Sequence, residues 1–285
     1  MVITAVWISL VLLTIWFSIV LVKDFVKNRN SLENSSWLKI ALIGFVVNFF
    51  DVLGIGAFAP QTALLKFTKQ TEDRVLPGTL NIANTLPVLL QAIIFITVIE
   101  VDPITLILML VAATAGAILG AGIVAKLPER MIRLTMGFAL LVTAGFMLAG
   151  KMEWIPGGGD AIGLYNGKLV IAILANFVLG ALMTAGIGLY APCMALVFAL
   201  GMSPKVAFPI MMGSCAFLMP AASMRFIREG AFNRKAAMGM AIPGIVAVLI
   251  AALVVKSLPL NMLRWLVIAV VLYTSAVMLR AAYSR

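Results

Sequence analysis

The chain has 285 residues, 63% hydrophobic and 11% charged, with mean hydropathy +1.13. A soluble domain is about 45–50% apolar and about a quarter charged, so a soluble fold is excluded and a polytopic membrane protein is expected. Lys+Arg outnumber Asp+Glu 21 to 11, but the basic residues sit in short gaps between apolar stretches. That arrangement argues for loops facing anionic lipid and against nucleic acid as a partner.

The first apolar stretch, 2–22, has no Lys or Arg before it and is long enough to span. It is expected as a retained helix with its N-terminus outside, within an N-terminal unit of 1–37. The stretch 38–67 is interrupted by Gly54, Gly56 and Pro60. The part before the break, 38–51, makes about 21 Å of helix, short of a hydrocarbon core of about 30 Å. Ordinary spans at 75–98, 103–125 and 131–149 complete a unit of 38–150. A linker at 151–167 carries the loop Pro156-Gly157-Gly158-Gly159-Asp160, with no mechanistic role expected of it. The stretch 168–200 is interrupted in turn by Gly186, Gly188 and Pro192. Spans at 205–227, 235–255 and 260–281 complete a unit of 168–285.

These units read as two copies of one sequence. Gly54-Ile55-Gly56 falls on Gly186-Ile187-Gly188 at an offset of 132 (186 − 54) residues. The same offset aligns Phe45-Val46 with Phe177-Val178, Ala59-Pro60 with Ala191-Pro192, and Pro77 with Pro209. Slipped by one residue, Leu127-Pro128 falls on Leu258-Pro259 and Arg133 on Arg264. The interrupted stretches could cross as broken helices or turn back as re-entrant hairpins, and basic residues arbitrate, because they gather inside. Full crossing splits the 21 Lys+Arg 12 inside to 9 outside. Re-entry leaves only Lys151, Lys168, Lys205, Lys256 and Arg264 outside, a split of 16 to 5. The expected fold is therefore all-α and integral to the membrane. It has seven transmembrane helices plus two re-entrant broken-helix hairpins in an inverted internal repeat, with the C-terminus cytoplasmic.

The breaks carry the chemistry. Glycine permits strained backbone and close ligand approach, and proline suits a helix start. Each hairpin is expected to restart near Ala59-Pro60 or Ala191-Pro192, aiming a half-helix N-terminus at a central cavity. Free amides and the positive dipole end make such a terminus an anion site. No Lys or Arg lies in mid-span, so a small anion would meet dipoles rather than ammonium groups. Candidate lining groups are Gly54, Ile55, Gly56, Ala59, Gln61, Thr62, Asn81, Asn84 and Thr85 in the first unit. The second offers Gly186, Ile187, Gly188, Ala191, Cys193, Ser214 and Cys215. Polar span residues also serve to join helices, and buried cysteines usually act as small hydrophobes. Asp51 is the one acidic residue deep in an apolar stretch. It is either a proton acceptor that couples transport or a brace for the break, and its counterpart is Met183.

The duplicated Gly-rich break with its following Pro, Asp51 just upstream, and the Leu-Pro-x-x-x-x-Arg loops resemble the sulfite exporter TauE/SafE family of membrane permeases over about 40–282. The resemblance implies a secondary transporter of sulfite, sulfonates or related small anions. The chain departs from the family's usual consecutive glycines with Gly-Ile-Gly-Ala-Phe and Gly-Ile-Gly-Leu-Tyr, making Phe58 and Tyr190 candidate gates. Such a carrier would sit in the cell membrane, work by alternating access without ATP, and leave a homo-oligomer open. An anion channel or a non-transporting scaffold are the alternatives. With no His and one buried carboxylate, an intramembrane enzyme lacks its parts, and no cofactor is expected.

Overall fold

A computed structural model describes residues 2–154, 159–254 and 260–283. They form helices α1 (Val2–Lys27), α2 (Trp37–Asp51), α3 (Phe58–Phe67), α4 (Leu76–Val98), α5 (Pro103–Val124) and α6 (Glu129–Lys151). The series continues with α7 (Asn166–Met183), α8 (Tyr190–Ala199), α9 (Pro204–Glu229), α10 (Arg234–Val254) and α11 (Leu260–Tyr283). Among the described residues there is no strand, only an isolated bridge between Ala161 and Met202. Leu258-Pro259 of the expected second loop motif and Pro156–Gly158 of the linker lie outside the described residues.

Seven helices among the described residues are long and apolar enough to cross a membrane: α1, α4, α5, α6, α7, α9 and α10. The set differs from the expected one at α7, anticipated as a hairpin arm. Its 18 residues make about 27 Å of helix, near the spanning length. The expected span at 260–281 appears as the 24-residue α11.

Burial separates inner from outer helices. In α4 and α9, 78% and 83% of the most apolar window is buried, against 22% in α1. Outer helices present large apolar side chains such as Leu12, Val111, Leu119 and Leu253 to the surroundings. That face suits lipid, which offers backbone groups no partners, so helices are the form the chain can take there.

α4 and α9 pack together at the centre; α2 lies on α10, α7 on α5, and α6 on α11. Glycines set the close approaches. A Cβ on Gly44 of α2 would lie 2.5 Å from Met240 Cα of α10. Between α5 and α7, a Cβ on Gly116 would strike the Phe177 carbonyl, and one on Gly180 the Ala113 carbonyl. Small residues let backbones touch in a solvent that supplies no hydrophobic drive between helices.

Polar contacts gather at the two ends of the bundle. At the first end, Ser35 Oγ donates to the Gln70 carbonyl at 2.8 Å, and the Ser36 N–H to Gln70 Oε1 at 2.7 Å. The start of α2 and the finish of α3 are thus tied together. The same end holds the ion-pair chain Lys66–Asp73–Arg133–Glu129, with contacts of 2.6 to 2.8 Å. At the other end, Lys168 Nζ donates to the Leu200 carbonyl at 3.1 Å, tying the start of α7 to the finish of α8. There too the Asp102 N–H donates to the Ile162 carbonyl at 2.9 Å.

Capping fixes where α10 begins. Asn233 Oδ1 accepts the Ala236 N–H at 2.7 Å, while the Glu33 carboxylate accepts the N–H groups of Arg234 and Lys235 at 2.9 and 3.1 Å. A carboxylate at a helix N-terminus satisfies orphan donors and opposes the dipole. Glu33→Ala should cost about 1–2 kcal/mol, read as a lower Tm of the purified protein in detergent.

Candidate functional site

The break after α2 runs Val52–Ala57. Gly54 and Gly56 hold φ of +79° and +87°, conformations closed to most side chains. In the second break, Gly186 has φ +101°, whereas Gly188 is not in the left-handed region. The expectation of equal roles for the four glycines is corrected at Gly188, whose backbone other residues can adopt. The half-helices also start earlier than expected, at Phe58 and Tyr190. Pro60 and Pro192 therefore occupy the third helical position. Their missing N–H still costs nothing, because no first-turn donor has an intrahelical acceptor.

The two breaks meet. A cavity of about 20 Å³ is lined from the first by Asp51, Gly56, Ala57 and Phe58, and from the second by Gly188, Leu189 and Tyr190. Asn84 and Val88 of α4, Met183 of α7, and Cys215 and Met219 of α9 complete it. Room of that size holds about one water molecule, so an oxyanion would need the tips to part. No Lys or Arg lines it.

A hydrogen-bonded group bridges the breaks. Gln91 Nε2 of α4 donates to Asp51 Oδ2 at 2.8 Å, and the Ala57 N–H also donates to the Asp51 carboxyl. The Tyr190 hydroxyl lies 3.1 Å from Gln91 Oε1 and 3.5 Å from Asp51 Oδ2. All three side chains are buried. Tyr190 thus reaches from one half-helix to the Asp51 carboxyl beside the other.

Of the anticipated site residues, Asp51, Gly56, Phe58, Asn84, Gly188, Tyr190 and Cys215 line the cavity. The others do not. Gly54 faces the Phe208 ring and Met194, and Gly186 faces Met136. Gln61 accepts a hydrogen bond from Asn84 Nδ2 and donates to Met240 Sδ at 3.2 Å, so it reaches the cavity only through Asn84. Asn81 Nδ2 is spent on the Pro77 carbonyl at 2.8 Å, and Ser214 accepts from Asn176 at 3.0 Å. Thr62 and Thr85 bond to carbonyls of their own helices at 2.7 Å. Ile55, Ala59, Ile187, Ala191 and Cys193 sit beside the breaks without lining the space. Cys215 Sγ donates to Met183 Sδ at 3.6 Å, and both cysteines are free and buried, so they pack as small side chains.

Gln91 was missed, although the sequence carried a signal for it. Asn84, Val88 and Gln91 stand at i, i+4 and i+7, one face of one helix; the first two line the cavity, and Gln91 reaches Asp51 at its edge. Asn176 was missed as well. Its Nδ2 joins the Met109 carbonyl at 2.7 Å and Ser214, bridging α7 to α5 and α9.

Helices packed through glycine, apolar outward faces and two interrupted helices abutting at a buried polar cluster define a multi-pass membrane permease. The chain matches the sulfite exporter TauE/SafE family over residues 2–147 and 169–285, and it belongs to that family. No curated protein and no solved structure matches it.

Proposed function

We propose that the protein is a secondary transporter carrying a small sulfur-containing anion, sulfite or a sulfonate, across the cell membrane by alternating access of two inverted halves. The observation that carries this reading is the junction of the α3 and α8 N-termini at one buried cavity. Two positive dipole ends aimed at one space that no Lys or Arg lines attract an anion without the grip of a buried Arg. Broken helices whose half-helix N-termini face a substrate at the bilayer midplane are a transporter architecture.

The re-entrant and inverted arrangement is supported by which ends are tied. The outer ends of α2 and α3 meet at one end of the bundle, and those of α7 and α8 at the other. Packing supports the halves 38–150 and 168–285 as repeats, since α2 lies on α10 as α7 lies on α5. In this reading the first end is cytoplasmic, Gly56, Phe58, Asn84, Gly188 and Tyr190 contact the anion, and Asp51 is the proton-coupling group.

The test is thermal stabilisation of the purified protein by sulfite, sulfate, thiosulfate, sulfoacetate and short carboxylates. A ligand that binds only the folded state raises stability in proportion to RT ln(1 + [L]/Kd). The reading expects concentration-dependent stabilisation by sulfite or a sulfonate exceeding that by carboxylates. No shift with any of these anions would contradict it.

A further inference from the structure

Asp51 lies where a transported anion is expected. Its carboxyl accepts the Ala57 N–H at the start of α3, so the chain's own acidic side chain sits at that half-helix's anion position. Gln91 donates to it from α4 and Tyr190 approaches it from α8. The half-helix α8 has no such occupant, because Met183 stands where Asp51 does in the first unit.

A second observation points to a ligand in the same space. Asn84 lines the cavity, is fully buried, and has Oδ1 without a hydrogen-bond partner while its Nδ2 is committed to Gln61 and the Leu80 carbonyl. A buried acceptor left unpaired is costly. It would be satisfied by a donor entering the cavity, such as the protonated Asp51 carboxyl turned away from α3.

We propose that Asp51 is a tethered placeholder for the transported anion: its carboxylate occupies the α3 N-terminus, and a substrate anion displaces it only when Asp51 takes up a proton and turns toward Asn84 Oδ1. This rests on the transport reading above and adds its stoichiometry. One proton enters on Asp51 with each anion and leaves with it, so a monovalent anion crosses without net charge. The ionisable groups facing Asp51 are Tyr190 of α8 and Cys215 of α9. α4 is uncharged along its length and contributes Gln91 and Asn84. α3 and α7 carry Lys66 and Lys168 near their outer ends, and α10 carries charge only at Arg234 and Lys235 in its first turn. α9 carries Lys205 in its first turn and Arg225, Arg228 and Glu229 toward its last, each ten or more residues from Cys215, so no cation lines the cavity beside the carboxylate.

The experiment is binding of methanesulfonate, which stays ionised from about pH 5 to about pH 9, to the purified full-length protein. The wild type should lose affinity about tenfold per pH unit once Asp51 is ionised, as one linked proton requires. Asp51→Asn, or Asp51→Ser if the first variant does not fold, should bind with one affinity across that range, equal to that of the wild type in acid. In proteoliposomes, methanesulfonate flux should respond to membrane potential in the variant and not in the wild type. A folded variant that keeps the wild-type pH dependence, or that binds at no pH, overturns the placeholder while leaving anion transport standing. Failure of the wild type to bind methanesulfonate, sulfite or sulfoacetate at any pH overturns both.

Discussion

Leucine at Gly116 should prevent α5 from docking on α7 and cost about 3 kcal/mol or more. Overpacking an ordinary core typically costs about 1–3 kcal/mol because side chains can shift. Here a Cβ would meet the Phe177 carbonyl and the Ala181 backbone N, which are main-chain atoms in an intact helix. Gly180→Leu approaches the same interface from the other side and should behave alike. Gly145→Leu is the internal control, since nothing lies within 4 Å of a Cβ there. The check is thermal unfolding and monodispersity in detergent: a large drop for Gly116 and Gly180, and little change for Gly145. Equal Tm values for all three would contradict the packing.

The largest functional loss is expected from Gly56→Leu. Its φ of +87° disfavours any L side chain, at about 1–2 kcal/mol. The added side chain also projects toward Tyr190 Cβ, 3.9 Å from an ideal Cβ, and into the cavity where the breaks meet. Strain and filled space together should lower anion flux about 100-fold or more, an effect worth about 2.7 kcal/mol. Membrane insertion should persist, because the outer helices that face lipid are untouched. Flux in proteoliposomes, set against the amount of inserted protein, reads the two separately. A scaffold without transport would have no flux to lose, and a carrier that kept full flux would not use this cavity.

Much of this was legible because membrane helices advertise their interruptions. Gly54, Gly56 and Pro60, repeated as Gly186, Gly188 and Pro192, placed both breaks to within two residues, and the six uninterrupted spans after them matched α4, α5, α6, α9, α10 and α11 closely. Asp51 stood out for the same reason, as a charge where charge is expensive. Partners were harder. Sequence spacing places Gln91 on the face of Asn84, but it cannot show that Asp51, 40 residues earlier, points to that face. Nor can it show that Tyr190 would reach across 139 residues of chain to the same carboxyl. The glycines at 116 and 180 read as ordinary small residues until the pairing of α5 with α7 is known. Asn81 and Ser214 enter the candidate site by polarity and by nearness to the breaks, whereas in the structure Asn81 Nδ2 bonds the Pro77 carbonyl and Ser214 accepts from Asn176.

Side-specific labelling of single cysteines tests the central geometry most directly. Asn34 and Lys69 flank the α2–α3 pair, Lys168 and Lys205 flank the α7–α8 pair, and all four are exposed, while native Cys193 and Cys215 are buried. Cysteines at 34 and 69 should react with a membrane-impermeant maleimide from one face only, and those at 168 and 205 from the opposite face only. Labelling of 34 and 69 from opposite faces, or of all four from one, would mean that the interrupted helices do not turn back from opposing sides, and the shared anion cavity would go with them.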